Sequence, residues 1–257
     1  MADDRGNLTV LGASPSWQNA GEACSSYLVD VPGTRLLIDC GNGAFSELRK
    51  HCDYLSVDAI AITHTHGDHM LDLLPMAYAL LYSPRALRGE SRRPKLFLPP
   101  GAADRMRAIF DLIDRAELLD LAYDVVEYDP AEALPLPGLE LTFAPVPHFV
   151  PTHAISVEAA TGGRLVFGAD HRPSQRIIDF ARGADLLLLE ATLMFPEDGV
   201  RGHITSVEAA EIAVEAEVDQ LVLTHMSDEL PRDQLLQQAI AIHANTTLAH
   251  PGASYVF

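Results

Sequence analysis

The densest chemistry in the chain lies in Thr63-His64-Thr65-His66-Gly67-Asp68-His69, where four metal-capable side chains fall within six positions. The preceding run, Asp58-Ala59-Ile60-Ala61-Ile62, is short, apolar and β-branched at its end, and reads as a buried strand. Alternation continued past that strand puts His64 and His66 on one side of the chain. Gly67 is expected to let the backbone turn, so that Asp68 and His69 face a second point nearby. Imidazole suits zinc, iron and manganese at neutral pH, and a carboxylate adds charge for a second cation. A lone surface histidine needs no explanation, but three with an aspartate in six positions do.

The totals bound what such a centre can serve. A length of 257 residues allows one large domain or two small ones, and 48% apolar residues suffice for a sizeable core. The formal charge is −18, with 36 acidic against 18 basic residues. A binder of phosphate backbones needs a basic footprint, which is missing here. This counts against non-specific nucleic-acid binding and leaves a small anionic substrate open, since divalent cations offset local negative charge. Cys24, Cys40 and Cys52 are odd in number and form no C-x-x-C pair, so free thiols in a reducing compartment are expected. Met1-Ala2-Asp3-Asp4-Arg5 shows no basic region followed by an apolar run, and no apolar stretch reaches membrane-spanning length. A cytoplasmic location is the expectation.

Several elements must position the cluster. Leu8 to Leu11 reads as a first strand, and the loop after it carries Trp17, the only Trp, as a packed anchor or part of a substrate mouth. Ser26 to Val31 and Thr34 to Ile38 read as a hairpin around Pro32-Gly33, closed by Asp39. Helices are expected over Gly43 to Lys50, Met70 to Leu81 and, as one long element, Ala102 to Leu119. Between them, Arg85, Arg88, Arg92, Arg93 and Lys95 form a basic stretch, read as a solvated loop in preference to an anion-guiding lid. Asp185 to Leu189 reads as a central buried strand from its unbroken leucines. Thr205-x-x-Glu208 reads as a capping box before a helix whose apolar face holds Ala209, Ile212, Ala213 and Ala216. No repeat or linker stands out, so one domain over 1–257 is expected.

The pattern His64-x-His66-x-Asp68-His69 resembles the motif of metallo-β-lactamase-fold hydrolases, and the chain from about Leu8 to about Phe257 resembles their ribonuclease Z and small phosphodiesterase branch. The resemblance implies an α/β fold, an αββα sandwich of two mixed sheets flanked by helices. It implies two divalent metal ions, zinc first with manganese or iron as options. His64, His66 and His148 are assigned to one, Asp68, His69 and His225 to the other, and Asp170 to both. His148 is preferred over His153 for its place after a strand, and His171 stands where the family carries a hydroxyl residue; its role is left open. Asp39 is implied to orient a metal-bound histidine. Glu190 and His203 match a pair beside the scissile phosphate, although Leu189 and Ile204 replace the flanking His and Ser of ribonuclease Z. The resemblance thus counts His203, Glu190 and Asp68 as catalytic. His243 and His250 match no motif.

Two metals sharing a water turn it into a nucleophile near neutral pH, and a protonated His203 would donate to the departing oxygen. The reading is a phosphodiesterase of small phosphodiesters such as cyclic nucleotides. Ribonuclease Z-type tRNA processing comes second, because only 22 positions separate His148 from Asp170 (170 − 148) and leave no room for the branch's protruding arm. Lactone, thioester and sulfate-ester hydrolysis share the fold. A non-catalytic metal protein would be expected to lack a ligand, and none is missing. The branch suggests a homodimer, while the charge and the missing arm count against nucleic-acid partners and the lack of a long apolar stretch against a membrane.

Overall fold

The computed structural model describes residues 5–257. The opening residues 1–4, inspected above for a leader segment, lie outside the described residues. The first half of the chain runs β1 (Asn7–Ser14), β2 (Ala23–Cys24), β3 (Ser26–Val31), β4 (Thr34–Ile38), α1 (Ala44–His51), β5 (Ala59–Ala61), α2 (Gly67–Met70), α3 (Leu73–Tyr82), α4 (Pro84–Leu87), β6 (Lys95–Leu98), α5 (Ala102–Asp111), α6 (Leu118–Ala122) and β7 (Asp124–Glu127). The second runs β8 (Leu134–Leu136), β9 (Leu139–Val146), β10 (Thr152–Ala159), β11 (Arg164–Phe167), α7 (Gln175–Ala181), β12 (Leu186–Glu190), α8 (Ser206–Glu215), β13 (Gln220–Thr224), α9 (Arg232–Ile240), β14 (Thr246–Leu248) and β15 (Ser254–Val256).

Among the described residues these strands form two mixed sheets, ordered β15-β1-β3-β4-β5-β6-β7 and β14-β13-β12-β11-β10-β9-β8, with β2 beside β1. In each, antiparallel strands give way to a parallel run: β4-β5-β6-β7 in the first and β11-β12-β13-β14 in the second. The pleat explains the unbroken apolar runs. Leu186 and Leu188 face the other sheet, together with Leu36, Ile38 and Phe167. Leu187 and Leu189 face outward onto Ile177, Ala209 and Ile212 of the covering helices. The first sheet repeats this, with Leu37 and Ile60 under Leu48, Met76 and Met106. The inner strands of each parallel run are therefore dry on both faces, as crossover helices require, while the edge strand β7 is largely exposed. The layers are the expected αββα sandwich.

Three local expectations need correction. Ala102 to Leu119 is not one helix: α5 stops at Asp111, and Asp114 takes a left-handed φ of 58° before α6 begins. Leu112 and Ile113, which extended the apolar pattern, are instead exposed. Met70 to Leu81 is also interrupted: Asp72 keeps helical backbone angles but donates its amide to the Cys40 carbonyl, and its carboxylate accepts the Phe45 amide. Gly67 is absent from the glycines of left-handed φ and begins α2, so a helical turn and not glycine freedom swings Asp68 and His69 round.

The basic stretch is tied down locally. Arg85 pairs with Asp53 and Glu90, Arg88 with Glu90 and Arg92 with Asp58, while Arg93 donates to the carbonyls of Asp120 and Tyr123. These are exposed pairs of small individual worth, which suits a solvated surface and not a lid. Trp17 is not the anchor of its loop, being 55% exposed. Buried Asn19 takes that part, donating to the Met226 carbonyl and accepting the Asp228 amide. The capping box is present as expected, with Thr205 and Glu208 side chains each closing on the other's backbone. No helix among the described residues is long and apolar enough to cross a membrane.

Candidate metal centre

Parallel strands end at a common edge, and the polar residues that follow them meet there, as crevices at carboxyl ends of strands generally do. Asp39 follows β4, His64 follows β5, Asp170 follows β11 and His225 follows β13, while Glu190 ends β12. Asp39, Ala169 and His225 adopt left-handed φ values of 56°, 55° and 57°. Three such non-glycine residues at one edge concentrate backbone strain of about 1–3 kcal/mol each where the polar side chains converge. Gly41 allows the loop after β4 to dock, since a Cβ there would lie 1.8 Å from the Asp68 carbonyl oxygen.

Two groups of donor atoms form. His64, His66, His148 and Asp170 make the first, and Asp68, His69, Asp170 and His225 the second, each within a 4.8 Å span. In the first, His66 Nδ1 lies 3.1 Å from His64 Nε2 and 3.2 Å from His148 Nε2, and Asp170 Oδ2 is 3.9 Å from both Nε2 atoms. In the second, His225 Nε2 is 3.1 Å from Asp68 Oδ2, and His69 Nε2 is 3.4 Å from both Asp68 and Asp170. A tetrahedral zinc with bonds of roughly 2.0–2.1 Å sets its ligand atoms about 3.3 Å apart, within the observed range. Asp170 belongs to both groups, where a bridging carboxylate would stand.

The far side of each ring decides where the protons are. His69 Nδ1 donates to Asp39 Oδ2 at 2.7 Å, and His148 Nδ1 to the Gly202 carbonyl at 2.9 Å. Thr63 gives its hydroxyl proton to Asp39, so its oxygen accepts from His64 Nδ1 at 3.0 Å. Thr192 likewise donates to Glu190 at 2.6 Å and accepts from His225 Nδ1 at 2.8 Å. Four imidazoles are thereby fixed with Nδ1 carrying a proton and Nε2 facing inward, the arrangement metal-ligating histidines require. His69 Nε2 is buried with no hydrogen-bond partner, as a donor atom awaiting a cation would be. Burial lowers His64 well below its ordinary pKa, and lowers His66 and His148 too, so these rings are neutral. Burial works against the Asp170 anion, but His225 and His69 hold it well below the usual carboxylate range. The two groups suit divalent cations.

Asp39 is the shared support, completely buried, with one carboxylate holding Thr63 and His69. Asp39→Ala is expected to weaken metal affinity by roughly 10- to 100-fold, because His69 and, through Thr63, His64 lose orientation. Competition against a fluorescent zinc chelator reads this directly; unchanged affinity would deny Asp39 that role.

His203 stands apart from the two groups. Its Nδ1 is 2.9–3.0 Å from both oxygens of Glu190, itself 1% exposed, and 4.0 Å from Asp170 Oδ2. Burial opposes its charge, but the hydrogen bond and field of Glu190, with Asp170 and Asp68 beyond, lift the imidazole to about 9. Glu190, His203 and His225 also lie close enough to suggest a third cation site. Ordinary hydrogen bonds already occupy Glu190, however, from His203, the His171 amide and Thr192.

All ten residues singled out by the sequence as site or support meet here. His153 does not: its ring lies edge-on to Tyr128 at 5.4 Å. His171 is fully buried, bonded through Nδ1 to the Ala169 carbonyl. His243 links Thr246 to the Val218 carbonyl, and His250 is exposed. Sequence reading passed over Thr63 and Thr192, whose only signal was a hydroxyl beside a candidate residue.

Comparison with known proteins bears on the same edge. Residues 34–226, which include every donor residue of both groups, match the Beta-lactamase superfamily domain. The probable metallo-hydrolase YhfI of Bacillus subtilis is 29% identical over 237 residues, covering 90% of this chain and 91% of its own. Its crystal structure superposes with a TM-score of 0.87 at 25% identity, over 99% of this chain and 100% of that one. A ribonuclease Z of Bradyrhizobium diazoefficiens is 28% identical over 295 positions, covering 94% of this chain and 96% of its own. A new diphosphatase from the PhnP family shares the fold, with a TM-score of 0.79 at 24% identity over 98% and 97% of the two chains. The chain therefore belongs to the beta-lactamase superfamily, and it carries the metallo-hydrolase fold of that family.

Proposed function

We propose that the protein is a metal-dependent phosphodiesterase of small phosphodiesters such as cyclic nucleotides. His64, His66 and His148 hold one ion, Asp68, His69 and His225 the other, Asp170 both, and zinc fits the nitrogen-rich donor set best. The observation that carries the reading is His203, held on buried Glu190 beside both groups yet bonded to neither. A general acid is what a departing alkoxide needs, and Glu190 keeps the imidazole charged and its Nε2 free to donate. Two divalent cations, when bound, would polarise a phosphoryl oxygen and lower the pKa of a water they share. Asp39, Thr63 and Thr192 keep the rings in place as charge shifts. Cys24 and Cys40 are free, buried thiols, which is compatible with a reducing, cytoplasmic setting.

Transfer-RNA processing is the second reading, favoured by the likeness to ribonuclease Z. Against it, that alignment spans 295 positions where this chain has 257 residues, so at least 38 positions of the relative (295 − 257) have no counterpart here. Between His148 and Asp170, β10 and β11 take up most of the chain. The net charge of −18 also disfavours a polyanion. The PhnP-family relative is described as a diphosphatase, which places its chemistry at phosphorus. The test offers zinc- or manganese-loaded protein cyclic nucleotides, a generic phosphodiester, a lactone and a precursor tRNA. Turnover of the phosphodiesters is expected, with tRNA association weak and insensitive to salt. Tight tRNA binding that weakens steeply with salt would reverse the ranking, because only many phosphate contacts release many counterions.

A further inference from the structure

We propose that Phe149 is a stacking platform for the substrate's planar aromatic group, a nucleobase, beside the phosphoryl site. This rests on the phosphodiesterase reading for the position of the phosphate, although the stacking itself does not require turnover.

Phe149 directly follows His148 and is 60% exposed. The ring is nevertheless held in place. A methyl group added at Gly202 would lie 2.2 Å from its Cε2 and 2.8 Å from its Cδ2, so the ring rests on the Gly202 backbone. Its centroid is 5.2 Å from that of His148, with the planes 51° apart. Gly202 in turn accepts the His148 Nδ1 proton and immediately precedes His203, whose ring is 5.2 Å from that of His148. Phe149 thus packs against His148, a donor to the first cation group, and against the backbone that leads into the proposed acid.

A second exposed apolar segment lies just beyond Glu190 in the chain. The chain leaving β12 is pinned to the His203 segment, Leu193 N donating to the Ile204 carbonyl at 3.0 Å, and then presents Met194 and Phe195, 37% and 69% exposed. Exposed apolar side chains on segments leading out of a strongly polar centre suit a ligand with one charged end and one flat apolar body. A nucleotide has that form, and every base offers a π face whatever its hydrogen-bonding edge. The absence of a side chain at Gly202 is what lets the ring lie against the backbone just before His203.

Isothermal titration of zinc-loaded wild type, Phe149→Ala and Phe149→Trp with AMP and with ribose 5-phosphate separates base from phosphate. Wild type is expected to prefer AMP. Phe149→Ala should lose roughly 5- to 100-fold on AMP and less than about twofold on ribose 5-phosphate, the range expected for one base stacked on one ring. Phe149→Trp should restore AMP binding, which a purely structural role would not predict. Equal losses on both ligands, no loss on AMP, or no base preference in wild type would each overturn the platform. A base-selective loss in a protein that hydrolyses no phosphodiester would sink the proposed reaction and leave the platform standing.

Discussion

His203→Ala is expected to retain its metals and to lose on the order of 10²- to 10⁴-fold in turnover of an alkyl phosphodiester, the usual contribution of a positioned acid. An alkoxide such as a ribose oxygen needs a proton as its bond to phosphorus breaks. A nitrophenolate is stable without one, so the same variant should lose far less on a nitrophenyl phosphodiester. Glu190→Gln should follow the same leaving-group dependence more mildly, because it orients and charges the imidazole without touching substrate. The pH profile supplies an independent sign. The acid works only when protonated, and its pKa is raised to about 9, so alkyl turnover should fall as pH rises through that value. Bound cations push the value down, which sets the limb at or below about pH 9, and His203→Ala should lack it. Equal losses on both substrates with metals intact would reassign His203 to substrate binding. Loss of metal would show that the ring is a ligand, as its closeness to His225 and Glu190 permits.

The second large effect concerns Asp170, 2% exposed and the one residue common to both donor groups. Protein purified without chelator and reconstituted with zinc or manganese should carry two ions per chain by elemental analysis. Asp170→Ala should weaken both sites together, since each group loses a donor and the charge that separates the cations. His225→Ala should empty the second group preferentially, because the first holds no atom of His225. A stoichiometry that stays near one in wild type would count against a bridging Asp170. Preferential loss of a single ion in Asp170→Ala would assign the carboxylate to one group only.

What the sequence determined by itself was local. The run His64 to His69 could be read as chemistry because its four side chains are bound to lie close, whatever the rest of the chain does. Buried strands were legible in runs such as Leu186 to Leu189, since apolar surface on both faces leaves no polar alternation. Asp39, His148, Asp170, Glu190, His203 and His225 were legible only through resemblance, as nothing in their own surroundings marks them. Tertiary structure decided the rest. Asp68 and His225 lie 3.1 Å apart although 157 positions separate them, because the strands that position them reach one edge of two packed sheets. The choice between His148 and His153 turned on where β10 begins: His153 lies inside that strand against Tyr128, while His148 stands clear of β9 and reaches His66. Thr63 and Thr192 escaped notice because a hydroxyl acquires a role only from its neighbours. Each passes its own proton to a buried carboxylate and is left able to accept one from a histidine, a relation that exists only once distant strands have met.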